Sequence, residues 1–142
     1  MKKTIILTLL WIACVACETK KDEAPEVQDQ TINASYRTST PVTIPGQALI
    51  VNVLEVNESR CPANTVCIQA GSADLQLSIS DGTNKASLAI SFKNENKASG
   101  HQTFKLGNQM YSLVVHDVLP YPVTTTKPNP EDYKVNLSIE KI

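Results

Sequence analysis

The chain reads as one all-β domain, a small antiparallel β-barrel or β-sandwich of about seven strands with one disulfide-stapled loop. Three observations predict this. Several short segments alternate apolar and polar residues, turn residues separate them, and no window carries apolar residues at helical spacing over three turns. A length of 142 residues suits a single domain, and the divisions are a leader over 1–16, a tether over 17–30 and the β-domain over 31–142.

The leader begins with Lys2 and Lys3 and continues as an apolar segment from Thr4 to Ala16, far shorter than the roughly 20 residues that span a bilayer. This is the pattern of a secretory signal peptide. Ala16-Cys17 resembles a bacterial lipoprotein processing site, in which the cysteine is acylated and becomes the new N-terminus, although Cys14 stands where Leu is usual. Cys14 after Trp11-Ile12-Ala13 is the poorer alternative because Trp11 is bulky. The run Glu18-Thr19-Lys20-Lys21-Asp22-Glu23 is similar to signals that carry lipoproteins to the outer-membrane surface, and its plainer reading is a solvated charge run. Through Gln30 the chain has almost nothing apolar to bury, so a disordered tether is expected.

Within the domain, Gln47 to Val56 is an apolar, β-branched run that reads as a central strand covered on both faces. Ala73 to Ser80 alternates cleanly as a half-buried strand. Asp81-Gly82-Thr83-Asn84 is a hairpin turn, and Lys85 to Phe92 is the return strand. Asn94 to Gly100 is a polar connection, Thr103 to Leu106 a short strand, Gly107-Asn108 a tight turn and Met110 to Leu119 a long strand. Pro120 to Pro130 is too rich in proline for a central strand and is expected to cross the surface. Tyr133 to Ile139 alternates as the last strand.

The segment from Ser59 to Gly71 holds the only cysteines of the β-domain. Five residues separate Cys61 from Cys67, a spacing that matches no common paired-thiol zinc or redox motif and suits a disulfide in an oxidising compartment. A ring of about seven residues removes about 2 kcal/mol of denatured-state freedom, and Pro62 stiffens it further. Such a loop is either a structural corner or a presented binding surface.

The sequence offers catalysis little. His116 and Asp117 are strand neighbours that point to opposite faces unless the strand breaks there, and His101 lies in a polar loop. No metalloprotease, nucleophile-elbow or phosphate-loop motif occurs. A zinc site would need Cys61, Cys67 and both histidines to converge, which disulfide pairing precludes. The reading is a non-enzyme with no cofactor and no metal. A net charge of −1 without a basic run argues against nucleic acid as a partner.

Arg60-Cys61-Pro62, four residues, Cys67-x-x-Ala70-Gly71, and then Leu119-Pro120-Tyr121-Pro122 and Asp132-Tyr133 resemble a family of small bacterial envelope lipoproteins over Gln47 to the C-terminus. The chain departs from that pattern at Gln69, where the family usually has Trp, an aromatic anchor for the loop. The plan of lipidation site, tether and small β-domain is also similar to that of potempins, surface lipoproteins that inhibit secreted proteases. That resemblance implies a surface-exposed, outer-membrane lipid-anchored inhibitor of a secreted or envelope protease, a metalloprotease foremost. Proteases bind substrates as extended strands, so a pre-ordered loop suits the role, and the candidate protease-binding residues are Arg60, Pro62, Ala63, Asn64, Thr65 and Val66. Thr65 or Val66 is expected to fill a metalloprotease pocket, and Arg60 is expected to anchor a trypsin-like target. The alternative is a non-catalytic envelope binding or structural module.

Overall fold

The computed structural model describes residues 30–124 and 126–142, so the leader, Cys17 and most of the tether lie outside the described residues. Eight strands form two four-stranded antiparallel sheets that face each other as a sandwich. The strands are β1 (Ile32–Ser35), β2 (Ser39–Ile44), β3 (Gln47–Glu58), β4 (Ala73–Ser80), β5 (Lys85–Phe92), β6 (His101–Leu106), β7 (Gln109–Leu119) and β8 (Lys134–Lys141). One sheet has the order β1-β8-β7-β6 and the other β2-β3-β4-β5, so the sheets do not close into a barrel. The inner faces share one core, in which Leu49, Val51, Leu75 and Leu77 from one sheet join Leu113, Val115, Val135 and Leu137 from the other.

The β4–β5 hairpin has the expected register, with Ala73 opposite Phe92 and Ser80 opposite Lys85. Its turn is held by Asp81, whose Oδ1 accepts from the backbone N–H groups of Thr83 (2.9 Å) and Asn84 (2.6 Å). The hydrogen bonds from Asn84 and Thr83 hold the Asp81 carboxyl below its ordinary pKa.

β3 corrects an expectation. It is an inner strand, but it is covered on one face only, with Ile50 40% and Leu54 44% exposed. A bulge between Val53 and Glu55 shifts the register, so Val53 faces the core before it and Val56 packs against the core after it. Two alternating phases joined by one extra residue produce what looks in sequence like a continuous apolar run. β7 does the same between Val115 and Asp117, and both Val115 and Val118 are buried.

Strand direction separates the two ends of the sandwich. The tight turns at Pro45-Gly46, Asp81–Asn84 and Gly107-Asn108 lie at one end. The longer connections at 59–72, 93–100 and 120–133 gather at the other, with the Tyr36–Thr38 turn on the same side. β1 pairs Ser35 with Lys134 and Ile32 with Leu137, so it runs toward the long-loop end and Thr31 lies on the side of the tight turns.

Candidate functional site

The stapled loop grows from β3 and β4 as a continuation of their ladder. Ser59 N–H donates to Ser72 O, and Cys61 N–H donates to Ala70 O, each at 2.8 Å. Gly71 permits this closeness. Its φ is +68°, and a Cβ there would sit 1.9 Å from Ser59 O, so no other residue fits without moving backbone. Cys61 and Cys67 are joined in a disulfide with their Cα atoms 5.9 Å apart.

Arg60 is the principal correction to the predicted site. Its residue is 4% exposed, so it is no surface anchor for a trypsin-like target. The guanidinium instead turns inward, where Nε donates to Glu58 Oε1 (2.8 Å) and Oε2 (3.0 Å) and Nη2 donates to Oε2. The backbone N–H of Arg60 also donates to Glu58 Oε1 at 2.9 Å. The guanidinium carbon lies 4.5 Å from the Tyr121 ring centre, a cation–π contact between loop and crossover. Nearby, the Tyr133 hydroxyl is buried without a hydrogen-bond partner. Burial, and then the Glu58 carboxylate, push its pKa above the ordinary 10.0, while Arg60 pulls it the other way.

The expected crossover, Pro120–Pro130, joins β7 to its antiparallel sheet neighbour β8 and is therefore a long hairpin connection that leans over the end of the sandwich, leaving β7 through a cis Leu119-Pro120 bond. It also buttresses the loop. Ala63 N–H donates to Pro122 O at 3.0 Å, Asn64 Nδ2 donates to Thr124 Oγ1 at 2.7 Å, and Thr124 N–H returns a bond to Asn64 Oδ1 at 2.8 Å. Loop and crossover therefore form one surface. A groove of about 360 Å³ runs beside the loop, lined in part by Val66, Ile68, Tyr121, Asn94 and Glu95.

The six predicted contact residues consequently divide. Arg60 is buried, Pro62 is half-buried, and Ala63 and Asn64, though exposed, are tied to the crossover by hydrogen bonds. Thr65 and Val66 are exposed, and Thr65 N–H closes a turn onto Pro62 O. The freest apolar side chains are Val66 at 98% and Ile68 at 105% of full exposure, on either side of Cys67. Ile68 is absent from the predicted site because that site is confined to the residues before Cys67, whereas the exposed apolar surface continues past the disulfide. Gln69 is exposed, so the Arg60–Tyr121 stack and the Asn64–Thr124 pair, not a side chain at 69, pin this loop.

Neither histidine lines the groove beside the loop, and His101 opens β6 instead of lying in the expected polar loop. His116 does sit at a strand irregularity, yet its Nε2 pairs with Ser138 Oγ at 2.9 Å while Asp117 Oδ1 accepts from Val118 N–H at 2.8 Å, so no His–Asp dyad forms. His101 Nε2 lies 3.0 Å from Ser112 Oγ. No group of three or more His, Cys, Asp or Glu side chains suited to a metal occurs among the described residues. Comparison with protein-family models, with curated proteins and with solved structures finds no match for this chain.

Proposed function

We propose that the protein is a surface-anchored lipoprotein that inhibits a secreted or envelope protease, a metalloprotease foremost, by inserting the tip of its stapled loop into the active-site cleft. The observation that carries this reading is the near-complete exposure of Val66 and Ile68 on a loop whose base is closed by a disulfide and by hydrogen bonds to the crossover. Burying one such side chain in a partner contributes about 1.5 to 3 kcal/mol. Because folding already orders the loop, little of that is spent on immobilising it. The entry of the chain on the tight-turn side supports display, since a lipid at Cys17 would hold the loop end away from the membrane.

The test is inhibition by the purified chain of a panel comprising thermolysin, subtilisin, trypsin and papain. Val66→Ala and Ile68→Ala are each expected to weaken inhibition about ten- to a hundredfold with unchanged melting temperature, and Arg60→Ala is expected to act through folding instead. Absence of inhibition across the panel would return the loop to the role of a structural corner in a non-catalytic binding module.

A further inference from the structure

We infer that the docking surface spans two segments and is built for an uncharged, apolar cleft on a folded protein partner, an inference that rests on the inhibitor reading above. The sequence from Cys61 to Ala73 contains no Asp, Glu, Lys, Arg or His, and neither does Val118 to Thr124. The reciprocal Asn64–Thr124 hydrogen bonds bring these two uncharged segments side by side. Each contributes exposed large apolar side chains, Val66 and Ile68 from the loop and Leu119 (41%) and Val123 (39%) from the crossover. The cation that the sequence places at the loop's start, Arg60, lines the adjoining groove but is 4% exposed and paired with Glu58, which neutralises its charge. Glu95 remains at the rim of the adjoining groove.

A face of this kind selects its partner by shape and apolar burial, because a charged cleft would lose hydration against it and gain no counter-charge. The charges that flank these segments in the connections at 93–100 and 120–133, Lys93, Lys97 and Lys127 against Glu95, Glu131 and Asp132, balance three against three, so steering is weak and association depends little on ionic strength. Lipid is the poorer occupant, since the face carries neither the basic residues nor the Trp that hold interfacial segments. Asn64 acts here as a positioning residue, holding the loop to the crossover while Val66, Ile68 and Val123 make contact.

The experiment uses whichever of thermolysin, subtilisin, trypsin or papain the chain inhibits. The inhibition constant is measured from about 50 to about 500 mM NaCl for the parent chain and for Val66→Asp, Ile68→Asp, Val123→Asp and Glu95→Gln, with circular dichroism melts as the folding check. The expected result is a change of less than about threefold with salt, a loss of about a hundredfold or more for Val66→Asp and Ile68→Asp, about tenfold for Val123→Asp, and little for Glu95→Gln. Inhibition that weakens tenfold or more with salt, or that survives all three aspartates, overturns the inference and leaves the inhibitor reading standing. Inhibition of none of the four proteases overturns both. Self-association of the parent chain in sedimentation equilibrium, abolished by Val66→Asp, overturns the inference by making a second copy the occupant.

Discussion

Arg60 shows how one side chain sets the chemistry of a whole end of the molecule. Sequence places it at the start of a displayed loop, where a charged residue is ordinarily solvated. Glu58 lies two positions earlier on an extended chain and so shares its face, which makes an inward, multiply hydrogen-bonded pair geometrically natural. Removing only one partner leaves the other charge buried. Arg60→Ala is accordingly expected to destabilise the fold by about 3 to 5 kcal/mol in urea unfolding, with Arg60→Ala/Glu58→Gln recovering part of the loss. A loss below 1 kcal/mol would show that the pair is solvated. Tyr133 gives the same cluster a pH signature. Its folded pKa is raised above 10.0 by burial and by Glu58, so its contribution is intact below about pH 10 and is lost as pH climbs through the folded value. Tyr133→Phe is expected to flatten the alkaline fall in melting temperature while leaving stability at pH 7 within about 1 kcal/mol, because the hydroxyl it removes has no partner. Parallel alkaline curves for the two proteins would rule out this role.

At the scale of elements, the loop is held by two independent devices, the disulfide that closes its ring at Cys61 and Cys67 and the hydrogen bonds from Ala63 and Asn64, inside that ring, to the crossover. Replacing Cys61 and Cys67 together by Ser is expected to cost about 2 kcal/mol without freeing Ala63 and Asn64 from the crossover. Hydrogen exchange is the discriminating measurement. In the double variant the amide of Ala63, bonded to Pro122 O, is expected to stay protected while that of Thr65, whose bond to Pro62 O closes a turn inside the ring, loses protection; equal loss at Ala63 would mean that the disulfide alone holds the loop. The legibility of the elements follows the same logic of local against distant information. The β4–β5 hairpin was fully readable because its alternation runs unbroken through a turn with its own side-chain cap. β3 misled because a bulge splices two alternating phases, and β1 and β2 went unread because one has four residues and the other carries Pro41 on a sheet edge. At the site, the disulfide loop was legible from spacing. Burial of Arg60 under Tyr121 and the clasp of Asn64 on Thr124 join residues sixty apart in sequence, and no local pattern encodes them.

At the scale of the whole molecule, the sandwich has one end of tight turns and one end of long connections. β3, at 12 residues, gives the domain a height of about 40 Å, and the dozen or so residues of tether expected from the sequence add about 20 Å of root-mean-square reach. If Cys17 carries lipid, the loop therefore stands several tens of ångströms from the bilayer, with β1 feeding into the domain from the opposite side. This polarity has a measurable consequence for the proposed activity. A lipid-anchored chain on phosphatidylcholine vesicles is expected to inhibit its protease within about threefold of the same chain in detergent, because anchoring leaves the loop unobstructed. Asn108→Lys, an exposed position on the tight-turn end, is expected to leave both values unchanged, since it lies far from the interface and shares no partner with it. Loss of inhibition on anchoring, restored by inserting a dozen Gly and Ser residues into the tether, would show that the loop end faces the bilayer and would reverse the assignment of the two ends.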